Sequence, residues 1–175
     1  MQARSSVHLG NAGEHLVMAH LLGQGFQAFM ADRGNPAFDI SVVDGHRHSL
    51  IRVKTTSSES VMWSRKPSGV TFLDLRMKGD YCCIVDMRNG VARAEFYLVP
   101  TNVVQEAIDE ARAYWVAGTG RDGKPHQDSS RQVLSLCERD GHPYRGFRIK
   151  WSCYRDNWES LRGRAEVLGD RRTLG

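Results

Sequence analysis

The segment that most constrains the fold is residues 38–55, where two strand-like stretches flank the dipeptide Asp44-Gly45. Asp-Gly between apolar stretches is a strong signal for a tight β-hairpin turn. In both stretches apolar and polar side chains alternate, which is typical of strands with one face on a hydrophobic core. The sequence therefore predicts an antiparallel hairpin in which residues 38–43 pair with residues 50–55.

The same alternation decides which polar side chains of the hairpin point the same way. A two-residue loop would pair Asp39 with Leu50, and a four-residue loop would pair it with Arg52. Because side chains two residues apart lie on one face of a strand, Asp39, Arg52 and Lys54 share a face in either register. We therefore expect one acid and two bases together on one face of the sheet.

The rest of the chain alternates between patterns typical of helices and patterns typical of strands. Their order indicates an α/β fold with a mixed sheet flanked by helices. We predict an exposed, mobile loop near residues 117–130 and a loop or irregular hairpin at residues 56–70. The predicted helices are 11–23, 101–115 and 156–161, and the predicted strands outside the hairpin are 26–30, 81–87, 94–99 and 147–153.

Length and composition fit a single domain over residues 1–175. Hydrophobic residues make up 41% and charged residues 25%, the balance of a globular protein with a core. The N-terminus lacks a basic-then-apolar signal pattern, and no apolar run approaches the ~20 residues that span a bilayer. The four cysteines include no C-x-x-C pair and no disulfide framework. We therefore expect a cytoplasmic protein without a membrane partner.

The net charge of +4 is concentrated at the C-terminal end of the chain. From residue 145 onward eight basic residues outnumber four acidic ones, whereas the two signs balance in the preceding residues. This basic stretch, residues 145–175, which includes a basic C-terminal tail at residues 162–175, is equally consistent with phosphate binding and with an ordinary solvated tail. By charge and by a neighbouring aromatic ring, the candidates for contact with nucleic acid are Trp63, Arg65, Lys66, Arg148 and Lys150.

One acid stands in an unusual place, at the start of the first predicted helix. Glu14 shares a helical face with Val17, Met18 and Leu21, which would pack on the sheet. Acids are rarely buried without a partner, so Glu14 is a candidate for a functional carboxylate. Carboxylates can hold Mg²⁺ ions that activate water for attack on a phosphodiester, and a lysine can stabilise the charge that develops on phosphorus. For any one of these residues alone, a structural ion pair is the simpler explanation.

Three ordered segments, Gly13-Glu14, Phe38-Asp39-Ile40 and Ile51-Arg52-Val53-Lys54-Thr55, together resemble the PD-(D/E)XK nuclease superfamily. Within it the chain looks most like the branch of Holliday-junction resolvases and small bacterial endonucleases of the intron-homing type. The resemblance implies a restriction-endonuclease-like mixed sheet with an αβββαβ-type core, and a Mg²⁺- or Mn²⁺-dependent endonuclease that acts on DNA. Resolvase-like members often work as dimers, so a homodimer is an option.

The resemblance also implies roles for individual residues. Glu14 and Asp39 match metal ligands of the family, and Lys54 matches its catalytic lysine. Arg52 stands where the family has Glu or Gln, and a guanidinium coordinates no metal. In one reading Glu14, Asp39 and the Val53 carbonyl still hold the ion, with Arg52 turned toward the scissile phosphate. In the other, Arg52 pairs with Asp39 and takes the place of the ion, which leaves a catalytically degenerate fold that binds nucleic acid or a protein partner.

Overall fold

The structure is a computed structural model that describes residues 6–32, 34–65, 79–138, 142 and 144–162. The helices are α1 (Ser6–Gly23), α2 (Thr101–Ala117) and α3 (Phe147–Lys150). The strands are β1 (Gln27–Met30), β2 (Ile40–Asp44), β3 (Arg47–Thr56), β4 (Ser60–Ser64), β5 (Tyr81–Asp86), β6 (Glu95–Pro100) and β7 (Arg131–Ser135). Short 3-10 turns occupy Val91–Arg93, Ser152–Tyr154 and Trp158–Leu161.

The central sheet contains five described strands in the order β1-β2-β3-β5-β6. β3 and β5 run parallel, and the other neighbouring pairs of this sheet are antiparallel. Parallel neighbours need a crossover connection, which here contains β4 and residues 66–78, and the latter lie outside the described residues. α1 and α2 flank the sheet, so the predicted α/β fold with a mixed sheet between helices is confirmed.

Two apolar clusters lie on opposite faces of this sheet. On one face Val17 and Leu21 of α1 pack against side chains of β3 and β5, including Cys83. On the other face Ile108 of α2 packs with Cys82, the neighbour of Cys83 on β5. β5 is therefore buried on both faces, as its continuous apolar sequence predicts.

The hairpin of β2 and β3 has the register in which Ile40 lies opposite Ile51 and Asp44 opposite Arg47. This is the register of the longer loop alternative, but only Gly45 and His46 remain unpaired because Asp44 and Arg47 also pair. Gly45 has a φ of +60°, a left-handed conformation that favours glycine. The ladder of paired residues ends at Ile40, and Asp39 lies just beyond it.

A second, two-stranded sheet replaces part of the loop predicted at residues 56–70. β4 pairs antiparallel with β7, and Val61 and Trp63 of β4 point into the core beside α2. β7 was missed because its sequence, Arg-Gln-Val-Leu-Ser, has only two apolar residues and its partner strand is distant in sequence. The packing of this small sheet on the central sheet therefore could not be deduced from local patterns.

The strand predicted at residues 147–153 is wrong, because this segment forms α3 and a 3-10 turn. The apolar residues recur at every second position, but two of them are also four apart, as on one face of a helix. Phe147 and Trp151 are buried with ring centroids 4.4 Å apart, whereas Ile149 is 59% exposed. None of the described helices is long and apolar enough to cross a membrane.

The predicted basic tail is described only at its first residue, Arg162, and the remainder lies outside the described residues. The Arg162 guanidinium lies 4.0 Å from the centroid of the Phe26 ring and 3.7 Å from the Asp44 carboxylate. It also donates a hydrogen bond to the Gln24 carbonyl at 2.8 Å. Arg162 therefore fixes the end of the described chain to the segment that links α1 to β1 and to the hairpin.

Candidate functional site

Asp39 and Arg52 form an ion pair on the hairpin. Nε of Arg52 lies 3.5 Å from Oδ2 of Asp39. The same Oδ2 accepts a hydrogen bond from the Val53 backbone N–H at 2.7 Å, and Nη1 of Arg52 donates to the Pro36 carbonyl at 2.6 Å. The pair is half-exposed, so its contribution to stability is modest, on the order of 1 kcal/mol or less. The main effect of the ion pair is that it holds the positively charged Arg52 guanidinium next to the Asp39 carboxylate.

Lys54 lies two positions beyond Arg52, on the same face of β3. To the extent that the chain is described, Lys54 makes no hydrogen bond or ion pair. Beside Arg52, in register on the neighbouring strand, lies Cys82 of β5, which is fully buried. Burial raises the pKa of the Cys82 thiol to about 12, although the charges of Lys54 and Arg52 act to lower it. Cys82 is therefore a protonated packing residue rather than a nucleophile.

α1 approaches β3 closely because residue 13 is glycine. A Cβ on Gly13 would lie 2.9 Å from Cβ of Thr55 and still nearer to its hydroxyl oxygen. Such distances do not occur between ordinary side chains, so only glycine allows this helix to lie so near the strand. Gly13 thereby places its neighbour Glu14 beside β3 at Thr55, the residue that follows Lys54 and points to the opposite face of the sheet.

Glu14 is half-buried and has a raised pKa. Burial is the main cause, and the negative charge of Asp39 adds to it, while His15 and Arg52 lower the pKa. These influences show that the carboxylates of Glu14 and Asp39 are close enough to repel each other. We call the set of Glu14, Asp39, Arg52 and Lys54 the hairpin face. The structure thus places Asp39, Arg52 and Lys54 on one face of the hairpin and brings Glu14 of α1 within electrostatic reach of Asp39 and Arg52.

The hairpin face offers oxygen ligands that fit a small divalent cation. Mg²⁺ commonly binds through one or two carboxylates and keeps several waters. Glu14 and Oδ1 of Asp39 make no hydrogen bond to any described residue, and the Val53 carbonyl points to the same side of β3 as its N–H. Among the described residues no cluster of three or more acids, histidines and cysteines could hold a metal. The protein ligands that the hairpin face can offer to a divalent cation are therefore two carboxylates and one backbone carbonyl.

The residues predicted to contact nucleic acid do not form one surface. Trp63 is wrong as a base-stacking residue, because it lies on the inner face of β4 and only 2% of it is exposed. Arg65 is paired with Asp128, with Nη2 2.8 Å from Oδ2. Lys66 lies outside the described residues.

The other two predicted contacts lie near α3. Arg148 donates from Nη2 to Glu95 at 2.7 Å, and the Lys150 ammonium lies 4.7 Å from the centroid of the Phe147 ring. Arg148 and Lys150 were assigned to one face of a strand, and that geometry does not exist. They remain basic residues at the surface, and their contact with nucleic acid stays a prediction.

A second concave region, which the sequence did not reveal, lies between α2 and the outer face of β7. It is a cavity of about 510 Å³ that includes no residue of the hairpin face. This volume is in the ~300–1,000 Å³ range of small-molecule sites. We call it the α2–β7 cavity, and its main lining side chains are Arg112, Trp115, Asp128, Arg131, Tyr144 and Arg145.

Comparison with known proteins identifies the fold. No protein-family model and no curated protein matches the sequence. Among solved structures, the bacterial homing endonuclease I-Ssp6803I is 12% identical, with a TM-score of 0.50 over 90% of this chain and 91% of that chain. The Holliday junction resolvase Hjc of Archaeoglobus fulgidus is 17% identical, with a TM-score of 0.44 over 72% and 83%. MepB is 12% identical, with a TM-score of 0.37 over 81% and 93%.

The likeness to the homing endonuclease spans nearly the whole of both chains and shows the fold. The chain therefore shares the fold of this endonuclease, in agreement with the fold class predicted from the sequence.

Proposed function

We propose that this protein is a metal-dependent endonuclease that hydrolyses phosphodiester bonds of DNA. The observation that carries the proposal is that Asp39 and Lys54 share one face of the hairpin, while Glu14 of α1 is near enough for the charge of Asp39 to raise its pKa. Glu14 and Lys54 have no ion-pair partner among the described residues, so a stabilising ion-pair network does not explain them. They are well suited to a cation that neutralises the acids and to a phosphate that engages the lysine.

In this mechanism Glu14, Asp39 and the Val53 carbonyl would hold a Mg²⁺ or Mn²⁺ ion. Such an ion polarises the phosphate and lowers the pKa of the attacking water. The Lys54 ammonium orients that water or stabilises the charge that develops on the phosphate. Glu14 must lose its proton before it can bind a cation, so its raised pKa makes cation binding weaker in acid.

A second candidate is supported by the contact between Arg52 and Asp39. The guanidinium already neutralises Asp39, and its charge would repel a divalent ion at close range. If it replaces the ion, the protein binds nucleic acid or a protein partner through the same fold without cutting. The two candidates differ in one measurable property, which is metal-dependent cleavage.

The test is cleavage of plasmid, linear and branched DNA with Mg²⁺ or Mn²⁺, by wild type and by Lys54→Ala. We expect Lys54→Ala to reduce cleavage by at least about 100-fold, the typical effect of losing one group that stabilises the transition state. Lys124→Ala is the matched control, because Lys124 is exposed in the loop after α2 and pairs only with Asp122 at 3.3 Å.

Cleavage that survives Lys54→Ala would refute the assignment of the hairpin face. Complete inactivity of the wild type, with no Mg²⁺ or Mn²⁺ binding in calorimetry, would establish the second candidate instead. Both the cleavage assay and the calorimetry are carried out with the full chain.

A further inference from the structure

We propose that the α2–β7 cavity binds one nucleotide of a single-stranded nucleic acid, by stacking its base on Trp115 and pairing its phosphate with Arg145 and Arg131. The proposal rests on the proposed function for the class of ligand. It does not depend on hydrolysis at the hairpin face.

The Trp115 ring is held in place for stacking. One of its faces is covered by His126, whose ring is parallel to it with centroids 3.6 Å apart. Its Nε1 donates to the Gln127 carbonyl at 3.3 Å, and Nδ1 of His126 lies 2.9 Å from the Trp115 carbonyl. Trp115 lines the cavity and is 44% exposed, whereas His126 does not line it. A rigid indole with one face covered and the other accessible is a platform for one more planar ring.

Arg145 supplies the unsatisfied polar group of the cavity. Its Nε is buried and has no hydrogen-bond partner among the described residues. Its guanidinium carbon lies 5.6 Å from the centroid of the Tyr144 ring, which also lines the cavity. An N–H without an acceptor is unfavourable, and a ligand phosphate bound by the Arg145 guanidinium can supply one.

The charges around the cavity favour an anion. Arg112, Arg131 and Arg145 outnumber the acid Asp128 among the lining residues. Asp128 is already neutralised, because it accepts hydrogen bonds from Arg112 at 2.7 Å and from Arg65 at 2.8 Å. No acid in the described part of the chain pairs with Arg131 or Arg145. Two uncompensated arginines beside an indole match a phosphate joined to a base, and a phosphate alone would leave the indole unused.

Single-stranded nucleic acid is the source that fits best. A base within a duplex is stacked on its neighbours, so only an unpaired nucleotide could lay its ring on Trp115. Trp115, Arg131 and Arg145 line the same cavity, so one nucleotide can contact the indole ring and the guanidinium groups together. Arg65, predicted from the sequence to contact nucleic acid, is held at this cavity by Asp128.

The test is fluorescence anisotropy of a fluorescein-labelled dT8 strand in EDTA, so that cleavage cannot interfere. We expect Trp115→Ala and Arg145→Gln each to weaken binding by about tenfold, the loss expected for one stacked base or one phosphate contact. Arg121→Gln is the matched control, since it removes the same charge from an exposed residue that does not line the cavity. Circular dichroism checks folding, and Arg131→Gln, at a surface residue, gives a second variant should Arg145→Gln fail to fold.

Tryptophan emission reports the contact directly, because Trp63, Trp151 and Trp158 are buried and Trp115 is exposed. We expect dT8 to quench the emission of wild type and not that of Trp115→Ala. Thymidine monophosphate should compete weakly with dT8. Inorganic phosphate should neither quench nor compete at the same concentration.

Binding by Trp115→Ala, Arg145→Gln and Arg131→Gln that equals wild type would overturn the proposal. Competition by phosphate as strong as by thymidine monophosphate would make the cavity a simple anion site, and equal affinity for thymidine monophosphate and dT8 would make it a site for free nucleotides. A chain that binds dT8 through this cavity and cuts no DNA contradicts the proposed function alone. A chain that cuts DNA while its cavity variants bind dT8 normally contradicts this inference alone.

Discussion

The hairpin face and the α2–β7 cavity differ in how their side chains are brought together. Asp39, Arg52 and Lys54 belong to one hairpin, and Glu14 joins them from the helix that packs on it. The cavity instead combines a helix, a loop, a strand of the second sheet and the segment before α3. The first region follows from strand periodicity, whereas the second exists only after non-local packing. A region can therefore be absent from sequence patterns and still have the more complete set of ligand-binding groups.

The largest effect that separates the two regions is expected at Gly13. Gly13→Ala should destabilise the protein by about 1–3 kcal/mol, because the added methyl group would overlap Thr55 and push α1 away from β3. Urea denaturation measures this loss. Below the unfolding transition the variant should still bind dT8, since the cavity does not include α1.

Gly10→Ala is the control for Gly13→Ala. It lies in the same helix, and a Cβ there meets nothing within 4 Å. Because alanine is the better helix former, this variant should be neutral or more stable by about 0.5–1 kcal/mol. Equal denaturation midpoints for the two variants would show that the close approach at Gly13 does not position Glu14.

The sequence predicted the central sheet and the hairpin face because both depend on local alternation. Asp39, Arg52 and Lys54 share a face of the hairpin in either register, so this prediction did not depend on the loop length. It could not predict that the inner face of β4 would bury Trp63, since that depends on pairing with β7. Nor could it choose between strand and helix at Phe147 and Trp151, whose spacing satisfies both. Both errors concern segments whose structure depends on residues distant in sequence, through pairing with β7 in one case and packing into the core in the other.

The second effect concerns the positive charge of the Arg52 guanidinium, which lies next to Asp39. Arg52→Gln removes a positive charge next to the candidate metal site and should tighten Mn²⁺ binding by about tenfold. Titration calorimetry measures the affinity, and Arg121→Gln serves as the control for charge alone. The dT8 affinity of the cavity should not change.

The results with Arg52→Gln also separate the two candidate functions. Binding of Mn²⁺ by the variant but not by wild type would mean that the arginine replaces the metal. Unchanged affinity would mean that Arg52 does not compete with the ion, and the ion pair with Asp39 would then be incidental to metal binding.

The smallest effect is expected in the pH dependence of stability, through Glu14. Because its pKa is raised in the folded state, the unfolded chain loses this proton first as the pH rises. As the pH rises above the ordinary pKa of about 4.5, the free energy of unfolding therefore falls, and it continues to fall until the pH has passed the raised pKa of the folded state. Below pH 4.5 this contribution to stability is fully present. Glu14→Gln should remove this fall, with a gain in melting temperature on the order of 1 °C at pH 8 and none at pH 4, because solvent screens a half-exposed carboxylate.

Addition of Mg²⁺ turns this small effect into a test of the metal site. An ion that binds the folded state stabilises it. At pH 8, Mg²⁺ should therefore raise the melting temperature of wild type and leave that of Glu14→Gln unchanged. The exposed Glu106 of α2 provides the control, and Glu106→Gln should respond to Mg²⁺ as wild type does. If Mg²⁺ raises the melting temperature of all three proteins equally, the ion binds elsewhere, and the repulsion between Glu14 and Asp39 is relieved by Arg52 alone. In that case the hairpin face has the charged residues of a metal site but binds no metal ion. The α2–β7 cavity would then be the better candidate for the functional site of the protein.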